Sequence, residues 1–186
     1  MRDVEAVTAA CQDPEISRWT AAVPTPYEES DAHSWIAKHA EHWEQGTAAQ
    51  FAMIAEPDHR FLGSLGIHNF DWTEMTAVAG YWVAAPERRH GAATRALRLG
   101  VRWAFEDLGI QEVHLVTMVG NLPSERVAEK VGFRLIGEDT EHRVATASNR
   151  QFHVKKWKLA VQRFTLDFEL SDREAILGKS ESDWVL

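Results

Sequence analysis

The chain has 186 residues, 45% of them apolar and 26% charged, and carries a formal net charge of −8 at pH 7. That length suits one domain with a sizeable core, and the acidic balance argues against non-specific nucleic-acid binding, which needs a basic face. Cys11 is the only cysteine, which excludes an intrachain disulfide and a cysteine-based zinc site and fits a reducing cytoplasm.

No apolar run approaches the ~20 residues that span a bilayer. The acidic start of the chain lacks the apolar core of a signal peptide. A single domain over residues 1–186, cytoplasmic and without membrane contact, is therefore expected. An acidic field also favours a basic substrate. Eight tryptophans point to large rigid contacts in a core or around a pocket.

In chain order, Val4, Val7 and Cys11 give a short amphipathic helix. Thr25 and Glu28 have capping-box spacing with Pro26 between them, which predicts a helix to about Gln45 that buries Trp35, Ile36 and Trp43. The period then changes to that of strands. Gln50–Glu56 and Arg60–Phe70 are two strands, and Thr76–Ala84 is apolar enough to be a central one. Ala93, Leu97, Val101, Ala104 and Leu108 form one stripe at helical spacing, closed by Gly109. Glu112–Val119 is a further buried strand. Strand, helix and strand make a βαβ unit, so Thr76–Ala84 and Glu112–Val119 should run parallel. A short helix follows from about Pro123 to Val131. Phe133–Thr140 and Gln151–Ala160 read as an antiparallel pair around a polar loop. Arg163–Leu170 alternates as a half-buried strand.

Two motifs carry chemistry. Arg88–Thr94, "RRHGAAT", leaves a buried strand and opens a helix. Free N–H groups and the positive end of the helix dipole make such a place an anion site. Gly91, Ala92 and Ala93 leave room for a phosphate against the backbone, and Arg88, Arg89 and His90 add donors. The loop is neither a dinucleotide fingerprint nor a Walker A loop. The second motif is "NLPSERVAEKVGF" from Asn121 to Phe133. Asn121 and Ser124 lie just beyond a strand end, where α/β sheets hold ligands. Taken alone, a turn asparagine and a capping serine explain that pair as well.

Together the motifs resemble the GNAT (Gcn5-related N-acetyltransferase) superfamily. Arg88 to Ala93 satisfies its R/Q-x-x-G-x-G/A acyl-CoA signature, and the flanking sequence looks like the RimJ/RimL-type branch over about residues 4–160. The resemblance implies an α/β fold with a mixed central sheet. The sheet is splayed between the two parallel strands and has helices on both faces. It implies acetyl-CoA as co-substrate, no metal, and an amine acceptor: a protein N-terminus or a small amine such as an antibiotic or metabolite. Backbone groups of Trp82 and Val83 would pair with the pantetheine arm, and the Val83 N–H would polarise the thioester. Arg88, Arg89, His90, Gly91, Ala92, Ala93 and Thr94 would hold the pyrophosphate. Asn121 and Ser124 would contact the arm, with Ser124 as proton donor to the thiolate.

Two departures stand out. Val78 replaces the glutamate that this branch often carries on the splayed strand. Glu74, Asp71 and His68 are the candidate replacements, with His153 behind them. The family's first strand also has no counterpart ahead of the first helix. Arg163–Leu170 is the candidate cover for the exposed edge, within one chain or across a homodimer. His39 and His42 lie three apart on a helix, but a metal site would need a third ligand. Trp19, Trp35, Trp43 and Trp72 line either the acceptor cleft or the core. The other reading is a GNAT-fold module that binds CoA without catalysis, as a sensor or scaffold.

Overall fold

The computed structural model describes residues 3–20, 23–145 and 148–164. Among these residues there are five α-helices: α1 (Val4–Cys11), α2 (Pro14–Thr20), α3 (Glu29–Glu44), α4 (Ala92–Glu106) and α5 (Leu122–Val131). The strands are β1 (Ala48–Ala55), β2 (Arg60–Asp71), β3 (Thr76–Val83), β4 (Glu112–Met118), β5 (Arg134–Ala145) and β6 (Ser148–Ala160). They form one sheet in the order β1-β2-β3-β4-β6-β5. Only β3 and β4 pair in parallel, with α4 as the crossover between them.

The parallel ladder is short. Thr76 to Ala79 pair with Glu112 to Leu115, and beyond Ala79 and Leu115 the strands part. β4 instead stays paired to β6 along its whole length, as far as Met118 opposite Val154. The sheet is therefore forked, with the fork at Gly80.

Side chains alternate across β3. Ala77 and Ala79 face α4, and the partly buried Tyr81 and Val83 pack onto the same cluster. That side is dense: Leu65 and Ile67 of β2, Leu97 and Val101 of α4, and Ile110 and Val113 are fully buried. Each such residue contributes roughly 1.5–3 kcal/mol of transfer free energy. Gly100 lets α4 approach the sheet closely, since a Cβ there would sit 2.5 Å from Leu65 Cδ2. The opposite side carries α1, α2 and α3. Its core is Val4, Val7, Cys11, Ile16, Tyr27 and Ala32, with Trp35, Phe61 and Trp82 partly buried against it. Burial pushes the Cys11 thiol up to about 11.

Several expectations need correction. A second helix, α2, follows Asp13, whose Oδ1 accepts the Glu15 N–H at 3.1 Å. α3 starts at Glu29, and its capping box joins Glu28 and Asp31 rather than Thr25 and Glu28. It buries only Ala32. Trp35 and Ile36 are half-buried, and Trp43 is 58% exposed, stacked on Trp103. The predicted polar loop between the last two strands is mostly ladder, from Glu141 opposite Phe152 to Ala145 opposite Ser148. Antiparallel pairing needs no particular side chain, so polar residues enter the ladder as readily as apolar ones.

Residues 161–164 are helical, not extended. Val161 donates to the Gln111 carbonyl, and Phe164 meets the Phe105 ring edge-on at 5.4 Å. The rest of the predicted strand, residues 165–170, lies outside the described residues. Among the described residues no strand precedes α1, and β1 is a sheet edge.

Candidate functional site

The fork decides which backbone groups are available. The Met75 carbonyl accepts from Gln111 N on the β4 side, and Ala84 N donates to the Leu62 carbonyl on the β2 side. N–H and C=O groups alternate between the two edges of a strand. Tyr81 and Val83 therefore point theirs into the gap, and Trp82 points its own at β2. This corrects the expected pair of Trp82 and Val83. The residue that sequence reasoning missed is Tyr81, and strand alternation was the signal that would have found it.

Across the gap lies the start of α5. Tyr81 Oη is 2.9 Å from Ser124 Oγ and also donates to the Ser124 carbonyl at 3.3 Å. Burial pushes the Tyr81 hydroxyl up to about 12, and its bond to Ser124 offsets this only in part. Tyr81 thus stays a neutral donor at physiological pH. Asn121 Oδ1 accepts the Ser124 N–H at 3.3 Å, so the asparagine caps α5 and fixes Ser124 beside the fork.

The basic loop follows β3. Arg88 turns inward: its Nε donates to the Val83 carbonyl at 3.0 Å, and its guanidinium pairs with Asp13 in the α1–α2 turn. It tethers the end of the splayed strand rather than lying open for a phosphate. Arg89 and His90 are exposed, and Arg89 holds a positive φ of 69°. Gly91 is the N-cap of α4 at φ 82°, and no side chain caps that terminus. The first amide paired within the helix is that of Arg95, to the Gly91 carbonyl. The amides ahead of it are thus open to an anion. A Cβ at Gly91 would lie 2.9 Å from the Arg95 guanidinium, so a side chain would crowd this cradle. A recess of about 240 Å³ adjoins it, lined among others by Arg60, Pro86, His90 and Arg95. An uncapped helix start, a bare glycine and nearby cations fit a pyrophosphate.

The α3-facing side of the fork differs. Gly66 and Gly80 are cross-strand partners, flanked by the pairs His68–Val78 and Ser64–Trp82. The two glycines give the sheet a floor without side chains. The Gln50 amide lies over Gly66 and donates to Ser64 Oγ at 2.6 Å. His68 Nε2 lies over Gly80, 3.5 Å from where a Cβ would be. From α3, Trp35 meets His39 edge-on at 4.4 Å, and lies 6.5 Å from Trp82. Neither His39 ring nitrogen has a hydrogen-bond partner, and both are buried. Burial, helped by His42 and His68, pushes the His39 imidazole down to about 4.

Other candidates fall elsewhere. Glu74 is exposed in the β2–β3 turn, where its N–H and that of Thr73 bond to Asp71 Oδ1. Asp71 pairs with Thr76, four strand residues or about 13 Å short of Gly80, and Glu74 lies in the turn beyond that. Glu74 and Asp71 are thus not brought to the fork. His153 is on β6, its Nδ1 3.2 Å from Thr140 Oγ1. Among the described residues no cluster of three histidine, cysteine or carboxylate side chains could hold a metal. Trp19 bonds to Glu15 on the outer side of α2, and Trp72 is half exposed beside Phe70.

The β3–α4–β4 unit thus parts at its middle, with an uncapped helix start at one end and Ser124 at the other. The chain belongs to the GNAT acetyltransferases: the family model for the acetyltransferase (GNAT) domain matches residues 1–134. Bacillus subtilis YokL, named as an N-acetyltransferase derived from the SPbeta prophage, is 30% identical over 129 residues, 68% of each chain. YdaF of the same organism, named as a ribosomal N-acetyltransferase, is 36% identical over 76 residues, 41% of this chain. That match spans only 42% of YdaF. Mycobacterium smegmatis RimJ, solved with CoA-disulfide, superposes with a TM-score of 0.75 at 21% identity, over 92% of this chain and 86% of its own. A Vibrio cholerae spermidine N-acetyltransferase solved with CoA and spermine gives 0.73 at 15% identity, over 88% and 92%. No helix among the described residues is long and apolar enough to cross a membrane.

Proposed function

We propose that the protein transfers the acetyl group of acetyl-CoA to a primary amine, by direct attack of the amine on the thioester. The observation that carries this reading is the fork itself: Tyr81 and Val83 direct backbone groups into a gap that Ser124 closes from the far side. The pantetheine arm runs along the open edge of β3, and the pyrophosphate rests on the amides from Ala92 onward. Arg89 and His90 lie beside it. Arg88 acts indirectly, by holding Val83 in place.

The N–H groups of Tyr81 and Val83 are the donors for the oxygen that gains charge as the amine attacks. The C–N bond forms, the C–S bond breaks, the departing thiolate takes a proton from Ser124, and the proton that the amine nitrogen loses returns to Ser124 by way of solvent. Tyr81, bonded to that hydroxyl, orients it. The acceptor is a protein N-terminus or a small amine.

The test is CoA release from acetyl-CoA with a panel of peptide N-termini, polyamines and amino sugars. Turnover on one class is expected. Tight acetyl-CoA binding without CoA release on any amine would put the non-catalytic module in its place.

A further inference from the structure

With Val78 in place of a glutamate, the acetyl-transfer reading lacks a base, and this inference rests on that reading. We propose that His68 is the catalytic residue that takes the proton from the acceptor amine, in a cleft on the α3-facing side of the fork.

Four observations converge on it. His68 is the cross-strand partner of Val78, so the two side chains rise from the same face of the sheet. Its Nε2 lies over Gly80, the first residue past the end of the β3–β4 ladder, and so one residue from the gap-facing Tyr81 N–H. The Gly66–Gly80 pair lets polar side chains settle on the sheet there, the Gln50 amide over Gly66 and His68 over Gly80. His39, on which His68 acts electrostatically, also has two buried ring nitrogens without a hydrogen-bond partner. Such a group in a native structure wants a partner, and an amine N–H supplies one.

α3 contributes His39 and His42, β1 the Gln50 amide, and β2 itself Ser64. On this face β3 carries Thr76, Val78, Gly80 and Trp82, with Asp71 of β2 opposite Thr76. The indoles of Trp35 and Trp82 suit an arriving ammonium ion. His68 removes one proton and leaves the neutral amine. The amine attacks the thioester, the C–N bond forms as the C–S bond breaks, and the thiolate takes a proton from Ser124. The new amide nitrogen sheds its second proton to solvent, which reprotonates Ser124, and the His68 imidazolium gives its proton to solvent. Neutral His39 accepts a hydrogen bond from the amine and orients its lone pair.

The test uses His68→Gln, with His68→Asn as a second variant should the first not fold. With an amine that the wild type acetylates, kcat at pH 7 is expected to fall on the order of 10²-fold. Acetyl-CoA affinity should stay within about twofold. The acidic limb of the wild-type kcat profile should vanish. Adding Val78→Glu to His68→Gln should restore at least tenfold of the rate, with an acidic limb at lower pH than in the wild type. Turnover within twofold of wild type from pH 6 to 9 overturns the proposal and leaves the acetyl-transfer reading standing. A loss that Val78→Glu does not restore, with an unchanged pH profile, also overturns it, because a structural role gives that result. A wild type that binds acetyl-CoA and turns over no amine removes both.

Discussion

The two faces of β3 teach different things. Toward α4, Ala77 and Ala79 enter a core in which Leu65, Ile67, Leu97 and Val101 are fully buried. Toward α3, the same strand offers Val78, Gly80 and Trp82 to a helix that buries only Ala32. One face is filled with apolar side chains. The other carries Gln50, Ser64 and His68 around two glycines, with His39 unpartnered nearby and an apolar cluster only beyond Trp82. Apolar packing dominates the first face, and polar side chains take its place on the second.

The contrast can be broken most severely on the packed side. Leu97→Ala should cost about 3–5 kcal/mol of unfolding free energy, because the site is closed on all sides. Chemical denaturation measures it, and a cost under about 1 kcal/mol would mean that the α4 face is not the rigid one. At the cradle, Gly91→Trp should weaken acetyl-CoA binding by at least about 10²-fold, or about 2.7 kcal/mol, by calorimetric titration. Unchanged affinity would remove the phosphate role. Ser124→Ala should lower kcat by roughly 10²-fold with little change in acetyl-CoA affinity, as the loss of a proton donor does.

The open face should respond to pH. His39 is held near 4, below its unfolded value of about 6.5. Its neutral form is therefore favoured by folding. That stability is complete above about pH 6.5 and is lost as the pH falls toward 4. His39→Phe should flatten the melting temperature between pH 7 and pH 5 relative to wild type; an identical slope would show that His39 is not buried as described. Smallest of all, Trp43→Ala should cost less than about 1 kcal/mol, because this ring is 58% exposed and rests only on Trp103.

Much of the α4 side was legible in the sequence. Its stripe at helical spacing and the all-apolar β3 report burial directly, because one packed face needs one kind of residue. Gly132 at φ 100° ends α5 where the sequence places the stop. The α3 side was not legible in the same way. Its tryptophans sit at helical spacing, but Trp35 is only partly buried against the second core and Trp43 is largely exposed on Trp103, and spacing cannot tell such positions from a core. The direction of Arg88 was equally hidden, since its partner Asp13 lies far away in the sequence. His68 stood among four candidate bases, and only the register opposite Val78 separates it from Glu74.

The fork has one more consequence. An unpaired strand edge is normally a hazard, because it invites a second chain to add itself and aggregate. Here the edge from Gly80 to Val83 opens inside the molecule, between α4 on one side and α3 on the other. A second copy of the chain would have to pass between those two packed faces to reach it. On the acetyl-transfer reading, the guest at this edge is a slender chain that carries amides at backbone-like intervals, so the carrier would be taken up as a sheet takes up its next strand.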